Sequence, residues 1–461
     1  MASFLPSKRG GLKLLFDGFE YDKQRENGDK IYWQCSRKLE CKARAHTING
    51  DVVKTVNDHT HGPSLLEQEA KFAYAAMKER SQQTEETNQC IVGNFVEATS
   101  AESRCYLPSQ ATMKRSLRRL RAHETRPHPL PSRLQDVVIP DEYAVNKDGA
   151  PFLLHDSGAT DAERFIVFCS PDMLALLGSS RQWFADGTFK VAPALFYQLY
   201  TVHCKVNGAV IPAVYVLMRS KTEAAYTKLL SVLKSKCAAA DPSTVLLDFE
   251  QAAINAFRRV FPSCQALGCF FHLCQCVYRK LQSEGLQESY RVDGAFNLMA
   301  RMIPAIALVP EGDVFDAFEA LSTMPGFPPE LLPVLDYFED TFLGRLTARG
   351  RRDPRFPASL WNHHATVLRG DAKTTNSVEA WHRGFQTHVQ CHQPSLWKFL
   401  AVLQKEDALN LHRLERVIMG VEEKSAKKYR ESASRLQTLA ARFARAGIIG
   451  YLKGVANNVS F

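Results

Sequence analysis

The sequence has no long uninterrupted apolar run. Its most apolar stretch, residues 191–218, is broken by Gln198, His203, Lys205 and Asn207, and the opening MASFLPSKRGGLKLLFDG holds no apolar core of signal-peptide length. These absences argue against a membrane span and a secretory leader, so an intracellular soluble protein with no membrane partner is expected. In such a reducing compartment the 12 cysteines read as thiols or metal ligands rather than disulfides. No internal repeat is visible, which argues against a repeat architecture. A strong excess of one charge is also missing: 58 Lys and Arg against 49 Asp and Glu give +9, a mild bias toward polyanions that many ordinary enzymes share.

What is present is a chain of 461 residues, 45% hydrophobic, enough for about two to three domains. Residues 1–62 are strand-like and turn-rich. Residues 63–135 read as a helical connector followed by a basic linker, in which TMKRSLRRLRAHETRPHPLPSR concentrates Lys114, Arg115, Arg118, Arg119, Arg121 and Arg126 before prolines stop the helix. That run suits contact with a DNA backbone or a solvated helix face. From residue 164 the pattern is strand, helix, three strands (181–193, 195–206, 208–220), helix, strand (243–250), helix, strand (265–272), which implies a mixed α/β sheet within residues 136–275. Residues 276–372 read as a helical insertion, 373–412 as a helical return to the core, and 413–461 as a basic helical tail.

In the first module Cys35, Cys41, His59 and His61 are spaced Cys, five residues, Cys, seventeen residues, His, one residue, His. Two thiolates and two imidazoles complete a tetrahedral set for structural Zn²⁺, and so small a module needs such a staple. The spacing differs from the common finger, whose histidines sit on a helix three to five residues apart. With one residue between them, His59 and His61 suit an extended strand. Core cysteines beside surface histidines are the other reading of the spacing. Phe4, Leu14, Tyr21, Tyr32, Trp33, the two cysteines and the closing HTH make residues 3–62 resemble a FLYWCH-type zinc finger. That resemblance implies a four-stranded module related to DNA-binding zinc folds, with His46 as a spare surface residue.

In RQWFADGTFKVAP, Asp186 interrupts a run that otherwise reads as a buried strand, and an unpaired carboxylate there needs a positive partner. Asp248 closes the apolar strand STVLLD, and strand ends are where ligands collect in α/β sheets. Glu379 falls on the first turn of a helix in TTNSVEAWH, where Asn376 and Glu379 also fit a capping box. Each aspartate alone also reads as a turn or helix cap. Three carboxylates at such ends are what two Mg²⁺ or Mn²⁺ ions require for in-line phosphoryl displacement.

Taken in order, DGTFK at 186–190, LLDFEQAA at 246–253, CFFH at 269–272 and TTNSVEAWH at 374–382 resemble the motifs of Mutator-like element (MULE) transposases, over roughly residues 150–410. The resemblance implies an RNase H-like core with Asp186, Asp248 and Glu379 as catalytic magnesium ligands, and gives Cys269 and His272 as a further family motif. Cys274 and Cys276 nearby suit either a second zinc site or packed thiols. Lys190, Arg219, Lys221 and Arg383 flank the motifs as phosphate contacts or solvated surface. The expected function is a nuclear DNA transposase that binds element ends and target as a homo-oligomer, with structural Zn²⁺ and catalytic Mg²⁺ or Mn²⁺. A domesticated, non-catalytic DNA-binding regulator and a ribonuclease acting on RNA–DNA hybrids are the competing readings.

Overall fold

Six short strands open the chain: β1 (Ser3–Pro6), β2 (Leu12–Phe16), β3 (Phe19–Asn27), β4 (Lys30–Cys35), β5 (Arg44–Ile48) and β6 (Asp51–Val56), paired antiparallel in sequence order. The computed structural model describes residues 2–6, 11–83, 86–124, 128–423 and 427–459, so Arg126 of the basic run lies outside the described residues. The chain divides into two units, residues 1–129 and 130–461. The expected four-stranded finger is a six-stranded sheet because two further strands join it, Phe4 of β1 pairing with Leu14 of β2 and Leu14 with Tyr21 of β3. Asp17–Gly18 and Asn49–Gly50 make the turns after β2 and β5, with positive φ at all four residues, as tight hairpins require. Leu14, Tyr21, Trp33, Cys35, Cys41, Ala43 and Ala45 fill one face.

The stretch expected as connector and linker has a core of its own. Helices α1 (Leu65–Gln83), α2 (Asn88–Ala98) and α3 (Gln110–Glu124) pack Met77, Ile91, Val92, Met113 and Leu117 together. The basic run is the outer side of α3. Arg115, Arg118 and Arg119 are exposed and Lys114 is half-buried, whereas Arg121 donates to the carbonyls of Ser81 and Glu86 and to Asn88 Oδ1.

The second unit contains α4 (Asp141–Ala144), β7 (Leu153–Asp156), β8 (Phe165–Phe168), α5 (Pro171–Ser179), β9 (Gln182–Thr188), β10 (Gln198–Val206), β11 (Ala209–Met218), α6 (Glu223–Lys236), β12 (Thr244–Leu247), α7 (Gln251–Val260), β13 (Gln265–Gly268) and α8 (Phe270–Ser283). Its seven strands run β13-β12-β9-β10-β11-β8-β7, with β9, β10 and β11 antiparallel and β12 parallel to both β9 and β13. CFFH, expected to end a strand, instead caps and opens α8, because β13 stops at Gly268.

The insertion is helical: α9 (Gln287–Val292), α10 (Gly294–Ala305), α11 (Val314–Ser322), α12 (Leu332–Phe338), α13 (Ala358–Trp361) and α14 (His364–Leu368). The chain returns through α15 (Asn376–Val389) and α16 (Leu396–Ile418), then α17 (Lys427–Ala441) and α18 (Ile448–Ala456). The carboxy-terminal stretch is not a free tail. Leu436, Ala440, Ile448, Leu452 and Val455 are buried in the main core, and Arg301 donates to the Val459 carbonyl.

The insertion meets the sheet at Phe249, which packs on Phe342 and Phe356 with ring centroids 5.5 and 5.0 Å away. A Cβ at Gly268 would lie 2.6 Å from that ring. Gly268→Ala is therefore expected to displace Phe249 and cost about 1–3 kcal/mol, as overpacked cores do. Thermal or urea unfolding of the variant against wild type measures it, and an unchanged midpoint would show the contact is unimportant.

Candidate functional site

The first site lies in the amino-terminal sheet. The ligand atoms of Cys35, Cys41, His59 and His61 all lie within 4.8 Å of one another, the one such group of three or more His, Cys, Asp or Glu among the described residues. Cys35 Sγ is 3.2 Å from His61 Nε2, and Cys41 Sγ is 3.3 Å from His59 Nδ1. A tetrahedral zinc with ordinary bond lengths would set such sulfur–nitrogen edges at about 3.5 Å, so the donor set fits the ion. The cysteines come from the end of β4 and the loop before β5. The histidines do not lie on a strand as expected: Asn57, at φ 61°, ends β6 and turns the chain so that both rings return to the thiols.

The surroundings fix which nitrogen of His59 faces the metal position. Its ring stacks on Phe19 with centroids 3.6 Å apart, and its Nε2 lies 2.7 Å from the Tyr21 hydroxyl. With Nδ1 turned to the thiols, Nε2–H is left to donate to Tyr21, the outer partner that orients a ligating imidazole. Burial, with the negative charges of Cys35, Asp17 and Cys41, raises the Tyr21 phenol to about 12, so it stays neutral. His46 is half-buried edge-on against Tyr32 and takes no part.

The second site gathers at the carboxyl ends of β9 and β12. Their parallel register pairs Leu246 with Phe184. The pairing ends there; Asp186 lies two residues further along β9 and Asp248 directly follows the last residue of β12. Val378 of α15 is buried there against Phe184, Leu246 and Leu267. Glu379 follows it. Asn376 is the first residue of α15, the cap being Thr375 with no side-chain cap bond, so the capping-box reading of Glu379 fails.

Cys269 explains how the returning chain is held. Its Sγ accepts from the Thr375 backbone N–H at 3.2 Å and from Thr375 Oγ1 at 3.3 Å, while Phe270 N–H donates to the Lys373 carbonyl. One turn along α8, His272 then stands between two carboxylates, Nδ1 3.6 Å from Asp248 Oδ1 and Nε2 3.4 Å from Glu379 Oε1. Burial works against its charged form, but the hydrogen bond to Cys269 and the charges of Cys269, Asp248 and Asp186 outweigh it, lifting the pKa to about 9. Burial also raises Glu379, opposed by His272, and the Glu379 Oε1 atom is buried with no hydrogen-bond partner. The three carboxylates are spread around His272 rather than within mutual ligand distance.

Several groups at this site carry no sequence signal of their own. His382, one turn beyond Glu379, faces Asp186 Oδ2 from 3.5 Å through Nδ1 and meets Thr201 Oγ1 at 3.0 Å through Nε2. His203, held neutral by burial, contacts the same hydroxyl at 3.0 Å. His203, Thr201 and His382 thus form a hydrogen-bonded chain whose far end, His382 Nδ1, faces Asp186. Glu250 is a fourth carboxylate, raised by burial and opposed by Lys221. Lys190, Arg219, Lys221 and Arg383 are all exposed. Cys274 is a buried thiol pushed far up by burial, and neither it nor Cys276 joins a ligand group among the described residues, which leaves packed thiols.

Two outcomes are expected. Native mass spectrometry should find one Zn²⁺ per chain, absent from Cys35→Ser, with Tyr21→Phe weakening zinc by about 10–100-fold; an unaltered affinity would deny Tyr21 its role. In the metal-free chain His272 is protonated at neutral pH. Its raised pKa makes its share of stability full below about 6.5 and lost as pH rises through about 9. Melts across that window should therefore fall more steeply for wild type than for His272→Asn, and parallel curves would contradict the assignment.

The family model for the FLYWCH zinc finger domain matches residues 4–61, and that for the MULE transposase domain matches residues 182–276. FLYWCH-type zinc finger-containing protein 1 of Mus musculus is 38% identical over 69 residues, and its Homo sapiens counterpart 36%. Those residues are 14% of this chain, which spans 10% of the length of either relative. The chain thus joins a FLYWCH zinc finger domain to a MULE transposase domain.

Proposed function

We propose that this protein is a Mutator-type DNA transposase whose second unit cuts and joins DNA with divalent metal held by Asp186, Asp248 and Glu379. The observation that carries the reading is the meeting of Asp248 and Glu379 at His272, with the Asp186 charge acting on both His272 and Glu379. Within the seven-stranded sheet, three antiparallel strands continued by two parallel ones, β11-β10-β9-β12-β13, support the reading of an RNase H-like core. The carboxylates supply the hard oxygen donors that Mg²⁺ or Mn²⁺ takes, and Glu379 Oε1, which makes no hydrogen bond and faces only the His272 ring, suits a cation. When bound, the metal would activate the attacking oxygen and neutralise charge on the phosphate.

Around that centre the chain's own groups have distinct tasks. His382 holds the Asp186 carboxylate in orientation, Cys269 fixes the start of α15, and Lys221 and Arg383 lie at the rim, where DNA phosphates would pass. The zinc finger and the exposed Arg115, Arg118 and Arg119 contribute binding to element ends, in the nucleus, by a homo-oligomer. No described helix is long and apolar enough to cross a membrane.

A non-catalytic DNA-binding regulator is the second reading, favoured by the imidazole of His272 standing between Asp248 and Glu379. Nicking of element-end DNA in Mg²⁺ or Mn²⁺ separates the two. Wild type should cut, and Asp186→Asn, Asp248→Asn and Glu379→Gln should each lose more than about 100-fold, since even outer-shell partners cost that much. Wild type that neither cuts nor gains thermal stability from either metal would establish the regulator.

A further inference from the structure

The outer face of the finger sheet has a composition that neither the zinc site nor the core explains. Trp33, Cys35, Ala45 and Thr47 are buried on the inner face, so strand alternation turns Lys30 and Tyr32 of β4 and Arg44 and His46 of β5 outward. Cross-strand register aligns Arg25 of β3, Tyr32 of β4, His46 of β5 and Lys54 of β6 in a single row. The Arg25 guanidinium lies 4.3 Å and the Lys30 ammonium 5.4 Å from the Tyr32 ring centroid. Among the described residues none of Arg25, Lys30, Arg44 or Lys54 forms an ion pair, unlike Lys13, Lys23 and Lys38 of the same module.

The same register puts Asp22 and Asp51 in the rows on either side, Asp22 already paired with Lys13 and Lys38, so the four cations themselves have no ion-pair partner and their mutual repulsion favours an anion over the face. The repulsion registers on His46, whose pKa is lowered by burial and then by Lys30, Lys54, Arg25 and Arg44. Neighbouring strands are about 4.8 Å apart, which puts the backbones at Arg25 and Lys54 about 14 Å apart. The major groove of B-form DNA is about 12 Å wide and admits a two-stranded ribbon. Tyr32 and His46 thus form a rib of groove width, and Arg25 and Lys54 reach the phosphate walls on either side.

We propose that this face, with Tyr32 and His46 at its centre and Arg25, Lys30, Arg44 and Lys54 around them, docks on the major groove of B-form duplex DNA. The inference rests on DNA being the finger's partner, as proposed above, and adds where and in what form the duplex is held. A-form RNA presents a groove too deep and narrow for such a rib.

The test uses the full chain and a labelled random-sequence DNA duplex in magnesium-free buffer, with affinity followed against salt. Each phosphate contact adds about 0.9 to the slope of log affinity against log salt, so Arg25→Ala/Lys30→Ala/Arg44→Ala/Lys54→Ala should flatten it by about 3–4. Lys13→Ala/Lys38→Ala, which removes ion-paired lysines, should change it by less than about 1. Zinc content and melting of the quadruple variant confirm that the finger remains folded. A folded quadruple variant with an unchanged slope overturns the proposal. So does equal binding of wild type to duplex RNA, or displacement of the DNA by polyglutamate at equal charge concentration. Because binding is read without magnesium, a chain that fails to cut DNA would refute the transposase reading and leave this result intact.

Discussion

Crowded negative charge at the ends of β9 and β12 is the condition on which the second unit is built. Asp186, Asp248, Glu250 and Glu379 collect where water is partly excluded, and burial raises both glutamates. Carboxylates so placed need a cation, and in the metal-free chain His272 serves, carrying a proton well above the usual histidine range. The surrounding links make the gathering obligatory. Cys269 grips Thr375, His363 Nε2–H donates to the Gly268 carbonyl at 2.7 Å, and Val378 is buried on the sheet. Each tether alone is modest; together they oppose the repulsion.

The amino-terminal unit solves a related difficulty with softer donors. Its sheet buries few large side chains, Trp33 the bulkiest, so cross-linking through two thiols and two imidazoles takes the place of a larger core. The two sites differ in chemistry. Sulfur and nitrogen close around one position in the finger, a closed structural set, whereas the carboxylates of the second unit stand apart around His272 at the ends of interior strands.

Much of this was legible in the sequence because the signals are local. Alternation and turn residues marked the strands near Asp186 and Asp248, and Cys35, Cys41, His59 and His61 declared themselves by donor type. What escaped depended on register or distant packing. Nothing in the spacing of His59 and His61 reveals that Asn57 takes them off the strand. Cys269 reads as a thiol of unknown use until Thr375 is seen against it. His382 and Thr201 matter only because α15 crosses β9 and β10. Residues 65–124 look like a linker since their apolar positions are few and the basic side of α3 dominates, yet those few meet in one core.

The position of the insertion has a consequence for synthesis. The ribosome delivers Asp186 long before Glu379, and at about 5–20 residues per second the intervening 192 residues take roughly 10–40 s. In the later part of that interval, once β13 has been made and before α15, the sheet from β7 to β13 can pair while the face meant for α15 is bare and Phe184, Leu246 and Leu267 are exposed. A nascent chain is thus sticky on the very face where its carboxylates will gather. A message truncated anywhere in the insertion would yield a product with finger and sheet but an uncovered apolar face, prone to capture by chaperones.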